Sequence, residues 1–432
     1  MAGTDRRIPA RTPRDGGFGT IDLQPPVRGA SETAEECVVA VRFRRIWWEA
    51  CKPWPRRFAT ERLCGTVQPT EKHAPMPTFK PQSLYAVSHL IATRMGSVEA
   101  EAATVADHLV RANLAGHDSH GIGMIPTYVR LLHDGLLVPN QAPEVVLDSG
   151  ALLVIDAKRG VGQSMAADAV RRAIARARQI GACVLALRNA SHVGRIGTYG
   201  EQAANAGCVF TAFVNVADHR DIAAPYACAE PRLGTNPFCT AIPGEDGPSI
   251  MLDMATTSIA AGKARVAFNK GVPVPDGSLI DISGEPTNDP TGFIRDHTGA
   301  LLTFGRHKGS GLAVLCEVMA TAVAGGQAAD QPTRGGILNS MLATVIDLSK
   351  LGDPAAIRAQ VEATKEHVRS SRVAPGFDEV LLPGEPERRS SEARSRDGIP
   401  VDDTTWRDIC AAAASLGITD AEIEQAVGAN ER

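Results

Sequence analysis

Residues 151–187 read ALLVIDAKRGVGQSMAADAVRRAIARARQIGACVLAL, and this stretch decides the fold class. Ala151 to Asp156 is a short apolar strand, Gly160 and Gly162 turn the chain, and a helix follows from Gln163 to Ile180. Gly181 closes that helix, and Cys183 to Leu187 is a second, buried strand. Working outward, Asn189 to Gly197 reads as a polar loop, a helix runs on to Gly207, and Val209 to Val216 is another strand. Strand alternating with helix predicts an α/β core over 151–345. A Rossmann site needs G-x-G-x-x-G after a strand. Here Gly160 and Gly162 are followed by Met165 where the third glycine belongs, so the segment reads as a tight strand-to-helix turn.

Upstream, 81–150 is expected to be helical. Ser83 to Met95 is amphipathic, Ser97 caps Val98 to Ala115, and Ile122 to Gly135 follows with Pro126 near its start. Downstream, a polar opening at His307-Lys-Gly-Ser-Gly311 precedes an apolar helix. The last part, 346–432, reads as helical. It has a charged helix over 354–370, a polar surface loop from Pro383 to Pro400 and two closing helices, the second with a Thr419/Glu422 capping box.

Residues 1–75 differ from the rest. They hold Trp47, Trp48 and Trp54, an arginine-rich run and scattered prolines, without sustained helical or strand periodicity. They carry no apolar core of a secretory signal, and Glu35, Glu36 and Glu49 argue against an organellar transit peptide. The reading is a disordered or mis-assigned extension, with the oxidoreductase domain spanning 76–432. A chain starting at Met76 is therefore expected to be soluble, dimeric and fully active. Loss of folding or turnover on that truncation, measured by circular dichroism and steady-state rates, would refute the reading.

Hydrophobic residues make up 44% of the 432-residue chain and charged ones 22%, with a net charge of −4. That balance is globular, and the charge speaks against nucleic-acid and anionic-membrane partners. No apolar run reaches eighteen residues. The 9 cysteines form no C-x-x-C pair, and Cys183, Cys208, Cys228, Cys239 and Cys316 sit among apolar neighbours. They read as small hydrophobes in a reducing, cytoplasmic compartment.

Several polar segments interrupt this frame. Gly116-His-Asp-Ser-His-Gly121 packs two imidazoles, a carboxylate and a hydroxyl directly after a helix end. Histidine has the proton affinity for acid–base work, and a neighbouring hydroxyl can orient a carbonyl oxygen. Helix capping and an H-x-x-H metal pair fit the same residues, and the three readings stay open on the residues alone. Asn189 to Gly197 places His192 and Arg195 at the carboxyl end of a strand taken as parallel, with Gly194 allowing close backbone approach to an anion. Leu233-Gly-Thr-Asn-Pro-Phe238 is a turn. Met251-Leu-Asp-Met-Ala-Thr-Thr257 sets Asp253 in an apolar run, where an acid needs a partner such as a histidine or backbone amides. His307-Lys308-Gly309 puts a cation and flexible backbone before a helix, which suits a phosphate or carboxylate unless it is only a solvated loop.

Taken together, residues 112–121, 191–194, 234–237, 252–256, 307–309 and 381–385 resemble the malate/L-lactate dehydrogenase family, which lacks a Rossmann fold. The resemblance runs from about Pro81 to Ala429, and six motifs in this order are highly specific. Gly121-Ile-Gly-Met-Ile-Pro126 and Gly271-Val-Pro-Val-Pro275 look most like its hydroxycarboxylate dehydrogenases, which reduce 2-oxo acids. The resemblance implies an α/β homodimer with the malate/L-lactate (sulfolactate) dehydrogenase-like fold, using NAD or NADP on a small 2-oxo or 2-hydroxy acid. No metal is implied.

By the same resemblance Ser119, His120, His192 and Asp253 are catalytic. His120, Gly194, Arg195, Ile196, Met251, Leu252, Asp253, Met254, Ala255, His307, Lys308, Gly309, Asn339, Pro383, Gly384 and Glu385 line the cofactor. Ser119, Met124, Arg195, Thr235 and Asn236 meet substrate. Many relatives carry an arginine where Met124 stands, so carboxylate capture passes to Arg195 as substitute. A second departure is Ala227-Cys228, in place of a glycine pair. Three rival readings stand beside this one: a metal-dependent hydrolase built on His117, His120, His192 and Asp253, a catalytically dead dimer that merely binds nucleotide, against which intact Ser119, His120 and His192 count, and a cyclic-imine reductase of the same family.

Overall fold

The computed structural model describes residues 77–269 and 271–428, so the expectations for 1–75 lie outside the described residues. A short strand β1 (Thr78–Phe79) leads into α1 (Pro81–Arg94) and α2 (Glu99–Leu114), and α3 (Ile125–His133) completes the helical start. Ser97 does not cap α2 through its backbone amides; its hydroxyl donates to the buried Glu101 carboxylate at 2.8 Å.

The core follows as β2 (Glu144–Ser149), β3 (Leu152–Asp156), α4 (Gly162–Ile180), β4 (Ala182–Ser191), α5 (Gly197–Asn205) and β5 (Cys208–Ala217). After β6 (Ala223–Ala224) come β7 (Phe238–Pro243), β8 (Pro248–Met254), α6 (Ala261–Asn269), β9 (Leu279–Ile280), β10 (Pro286–Thr287), the single turn α7 (Thr291–Ile294) and β11 (Ala300–Leu302). Then α8 (His307–Val318), β12 (Leu338–Asp347), α9 (Pro354–Arg369), α10 (Glu385–Asp397), β13 (Ile399–Pro400), α11 (Asp403–Ser415) and α12 (Asp420–Gly428) close the chain.

The main sheet has seven strands in the order β2-β3-β4-β12-β5-β7-β8. Only β3 and β4 pair in parallel, through the crossover helix α4; every other neighbouring pair is antiparallel. The α/β core expected from alternating strands and helices is present, and the strand taken as parallel, β4, makes the one parallel pair of a sheet that is otherwise antiparallel. β12 arrives from far along the chain and inserts between β4 and β5, separating two strands that consecutive order suggested would be neighbours. β6, β9, β10 and β11 form a small second sheet.

The helix α4 packs Met165, Ala166, Ala169, Val170, Ala173, Ile174 and Ala177 onto the sheet. This i, i+3, i+4 spacing is one helical face, and its many alanines let the backbones approach closely. Gly162 belongs to that approach: a Cβ there would collide with the carbonyl oxygens of Ser191 and His192. The 160–162 glycines thus serve packing, as the missing third glycine indicated.

A second core joins α1, α2 and α3 to α11 and α12 from the other end of the chain, through Leu84, Ile91, Leu109, Tyr128, Leu131, Ile409 and Ile423. The two expected helical parts are one layer, and β1–β13 pairing ties their ends together. β2, counted with the helical start, belongs to the sheet. The Pro383–Pro400 segment is also corrected: 385–397 is the helix α10, acidic in its first turn, basic in its last and stopped by Gly398.

Candidate active site

The Gly116–Gly121 segment is fixed by three polar anchors. Asn113, in the last turn of α2, donates from Nδ2 to Asp118 at 2.7 Å, and its Oδ1 accepts from the Ile122 amide at 2.8 Å. Arg394 of α10 grips both Asp118 oxygens at 2.6 and 3.0 Å. Bidentate pairing of this kind fixes orientation as well as charge. His117 turns to Glu387 of the same helix at 3.4 Å. Asp118 and His117 are thereby occupied, while Ser119 and His120 stay partly exposed. They lie on a 3-10 turn, with Ser119 Oγ 2.9 Å from His120 Nδ1.

His192 comes from a different element, the end of β4. Its ring stacks on His120 with centroids 5.5 Å apart and planes 26° from parallel. The Tyr128 hydroxyl lies 2.7 Å from His192 Nδ1 and accepts from Gln163 Nε2 at 2.7 Å. The Nε2 atoms of His120 and His192 make no hydrogen bond to described residues, whereas each Nδ1 is held. Two imidazoles thus present one free nitrogen apiece.

Both rings are held neutral. Burial, then the His117 and Arg195 charges, push His120 down to about 4. Burial, then His120, His108 and His219, hold His192 well below the usual imidazole range. Each ring keeps some solvent contact, but the surrounding protein still makes the charged form costly.

The loop after His192 is set against a third buried imidazole, His108 of α2, pushed down to about 3 by burial and then by Arg111. Gly194 has φ of +74°, and a Cβ on it would collide with the His108 ring. Arg195 follows, 2% exposed. Its guanidinium meets Glu201 at 2.7 Å and Asp253 at 3.5 Å, and Asp253 accepts from the Gly197 amide at 2.8 Å. This corrects two expectations. Arg195 is enclosed in ion pairs and does not reach out to a substrate carboxylate. Asp253 steadies the 195–197 loop and orients no imidazole; burial raises its carboxyl, opposed first by Arg195.

Other expected site residues also make bonds within the protein. Asn236 spends its amide on Ala313 and Glu317, and its oxygen on the Val216 amide. The Thr235 carbonyl accepts from the amide and hydroxyl of Thr256. Asn339, 3% exposed, bridges the Val193 amide and the Asn215 carbonyl and so carries the His192 loop. Met124 packs on the helical core, and extended backbone at Gly121 separates it from the His120 turn. The two do not share a helical face.

Ile196 is buried in the sheet core, as is Met251, whose amide binds the Pro383 carbonyl. Gly384 continues that contact, and Glu385 accepts from the Leu382 amide and pairs with Arg369. The 381–385 turn thus seals the outer edge of β8, the strand carrying Leu252, Asp253 and Met254 and followed by Ala255. His307 and Lys308 open α8, Gly309 packs under Phe304, and Tyr226 lies edge-on to His307 at 5.9 Å.

The residues present fit a dinucleotide. Arg306, His307 and Lys308 are exposed and form no ion pair with described residues, at the start of a twelve-residue helix. Ser191 Oγ and Thr198 Oγ1, flanking the His192 loop, are buried polar atoms without a partner. Among the described residues no three His, Cys, Asp or Glu side chains are arranged to hold a metal ion.

Tyr128, Gln163 and His108 were missed because each sits inside a helix with a convincing apolar face. The available signal was polarity on that face: Gln163 is in line with Ala166, Val170 and Ala173.

Residues 79–410 match the malate/L-lactate dehydrogenase family. Hydroxycarboxylate dehydrogenase B of Escherichia coli K12 is 43% identical over 352 residues, covering 80% of this chain and 96% of its own length. L-lactate dehydrogenase of Cupriavidus necator is 38% identical over 317 residues, covering 73% and 90%. The solved structure of sulfolactate dehydrogenase from Methanocaldococcus jannaschii is similar with a TM-score of 0.71 and 31% identity, over 81% of this chain and 99% of that one.

Proposed function

This chain belongs to the malate/L-lactate dehydrogenase family, and from that premise we propose that it reduces small 2-oxo acids to 2-hydroxy acids, reversibly, with NADH or NADPH. It is an oxidoreductase. The observation that carries the reading is the stacked His120/His192 pair, with both Nδ1 atoms held and both Nε2 atoms free. When bound, the nicotinamide supplies the hydride. The protein's part is to hold the keto oxygen between imidazole N–H groups and deliver one proton as negative charge develops there. Ser119 fixes the His120 ring for this task. The Arg306–His307–Lys308 cluster is proposed to meet the cofactor's phosphates. The names of the relatives favour an oxo acid over a cyclic imine as substrate.

The test is a panel of pyruvate, oxaloacetate, phenylpyruvate and a cyclic imino acid with each reduced cofactor, followed by loss of nicotinamide absorbance. No turnover of any oxo acid would overturn the reading.

The depressed histidines also set a pH dependence. In the free protein the base form dominates above about pH 5, since His120 lies at about 4. Alcohol oxidation needs that base form, so its kcat/KM should be flat across neutral pH. Reduction consumes a proton, so its kcat/KM should fall about tenfold per pH unit over the same range. An oxidation limb that bends near about pH 6.5, the ordinary histidine value, would contradict the depression.

We further propose a homodimer, supported by exposed Val314, Leu315 and Val318 on α8. A cytoplasmic location is proposed from the six free cysteines among the described residues. No helix among those residues is long and apolar enough to cross a membrane.

A further inference from the structure

The apolar face of α4 carries one polar side chain in its first turn, Gln163, and its partner Tyr128 reaches in from α3. Both are buried, at 1% and 3% exposure. A phenol hydroxyl has one hydrogen to give. Gln163 Nε2 donates to the Tyr128 oxygen, so the phenol hydrogen has one remaining acceptor at hand, His192 Nδ1 at 2.7 Å. In the reverse arrangement Nδ1–H would donate to the phenol and leave its hydrogen buried and unpaired, which folded proteins avoid.

We propose that Gln163 and Tyr128 are positioning residues that lock His192 in its Nε2–H tautomer, making it a fixed hydrogen-bond donor to the substrate's keto oxygen. The inference rests on the oxo-acid reading and divides labour between the two histidines. The groups around the His192 ring are Tyr128, the stacked His120, and His108 and His219 further off, none of them an anion that would draw a second proton onto it. His120 is built differently. Its Nδ1 meets the Ser119 hydroxyl, which can donate or accept. As an imidazolium, His120 donates from Nδ1 to Ser119 and from Nε2 to the substrate oxygen. Hydride adds to the carbonyl carbon from the reduced nicotinamide, and the oxygen takes the Nε2 proton. His120 is left neutral with its Nδ1–H bond intact, to be reprotonated from solvent. His192 changes no bond.

The tautomer can be read directly by NMR of the full chain labelled with 15N-histidine, the His192 signals being assigned by their loss in His192→Gln. An imine-type Nδ1 and a pyrrole-type Nε2 are expected in the unmodified enzyme. Tyr128→Phe, nearly isosteric, should move both signals toward the tautomer average. It should also lower kcat about 10–100-fold with little change in cofactor KM, by analogy with the loss of outer-shell hydrogen bonds to metal-bound histidines. Gln163→Glu, whose carboxyl oxygen can take the phenol hydrogen and leave the phenol oxygen to accept from Nδ1–H, should move the signals toward a pyrrole-type Nδ1 while Tyr128 is still present. A pyrrole-type Nδ1 in the unmodified enzyme, or unchanged kcat in Tyr128→Phe, overturns the proposal. Failure of every 2-oxo acid as substrate would instead remove the functional reading, and the NMR spectrum would still decide the tautomer.

Discussion

His120→Ala is expected to lower kcat for 2-oxo-acid reduction by about two to four orders of magnitude, the usual contribution of a positioned general acid. The side chain is held by Ser119 on a turn that Asn113, Asp118 and Arg394 fix independently of the imidazole. Removing the ring therefore should not unravel the turn, and the protein should fold and bind cofactor nearly as before. The loss should fall on kcat, because the bond from His120 to the substrate oxygen strengthens as negative charge develops there. Steady-state rates together with a fluorescence titration of reduced cofactor check both halves. A loss of less than about tenfold would place the proton donor elsewhere. Equal losses in turnover and in cofactor affinity would mean that the ring mainly shapes the nucleotide site.

The β-α-β unit at 151–187 was legible in the sequence because its signals are local: an apolar strand, a glycine turn, and a helix whose apolar spacing persists to Ile180. The Thr419/Glu422 capping box was legible for the same reason, and its reciprocal bonds are present at 2.8 and 3.3 Å. β12 was not. Asn339 and Ser340 interrupt its apolar character, and its place between β4 and β5 is decided by partners more than 120 residues away. α10 was hidden for the opposite reason. Its long run of charged residues has no apolar stripe, and it is held by Arg394 to Asp118, Glu387 to His117 and the turn around Gly384. At the site, the motifs identified the segments that meet, Ser119-His120 with His192, but not which polar atoms are consumed within the protein. Arg195 illustrates the gap. An arginine in a glycine-rich loop reads as a ligand contact, and nothing local announces that Glu201 and Asp253 enclose it.

That enclosure makes Arg195→Ala the most destabilising single change expected here. Arg195 is 2% exposed and faces two carboxylates, one of them the buried Asp253. Removing the cation leaves Glu201 with Arg111, but leaves Asp253 with the Gly197 amide and only the more distant charge of His117. Breaking one side of a buried pair costs about 3–5 kcal/mol, because the surviving charge stays desolvated. The sign of the pH dependence follows from Asp253. Burial already raises its carboxyl above the ordinary value, and Arg195 is the largest opposing influence. Without Arg195 the folded-state pKa rises further, so the folded protein binds a proton that the unfolded chain releases at about pH 4. Stability of the variant is then greatest near that lower value and falls as pH increases through the folded pKa, widening the gap to the unmodified protein. Urea unfolding at mildly acidic and mildly alkaline pH, at one fixed protein concentration, measures the gap. Adding Asp253→Asn to Arg195→Ala should flatten the pH dependence and recover part of the loss, since an amide carries no charge to strand. A loss that is independent of pH, or a double variant no better than the single, would mean that Arg195 matters through packing and not by neutralising Asp253.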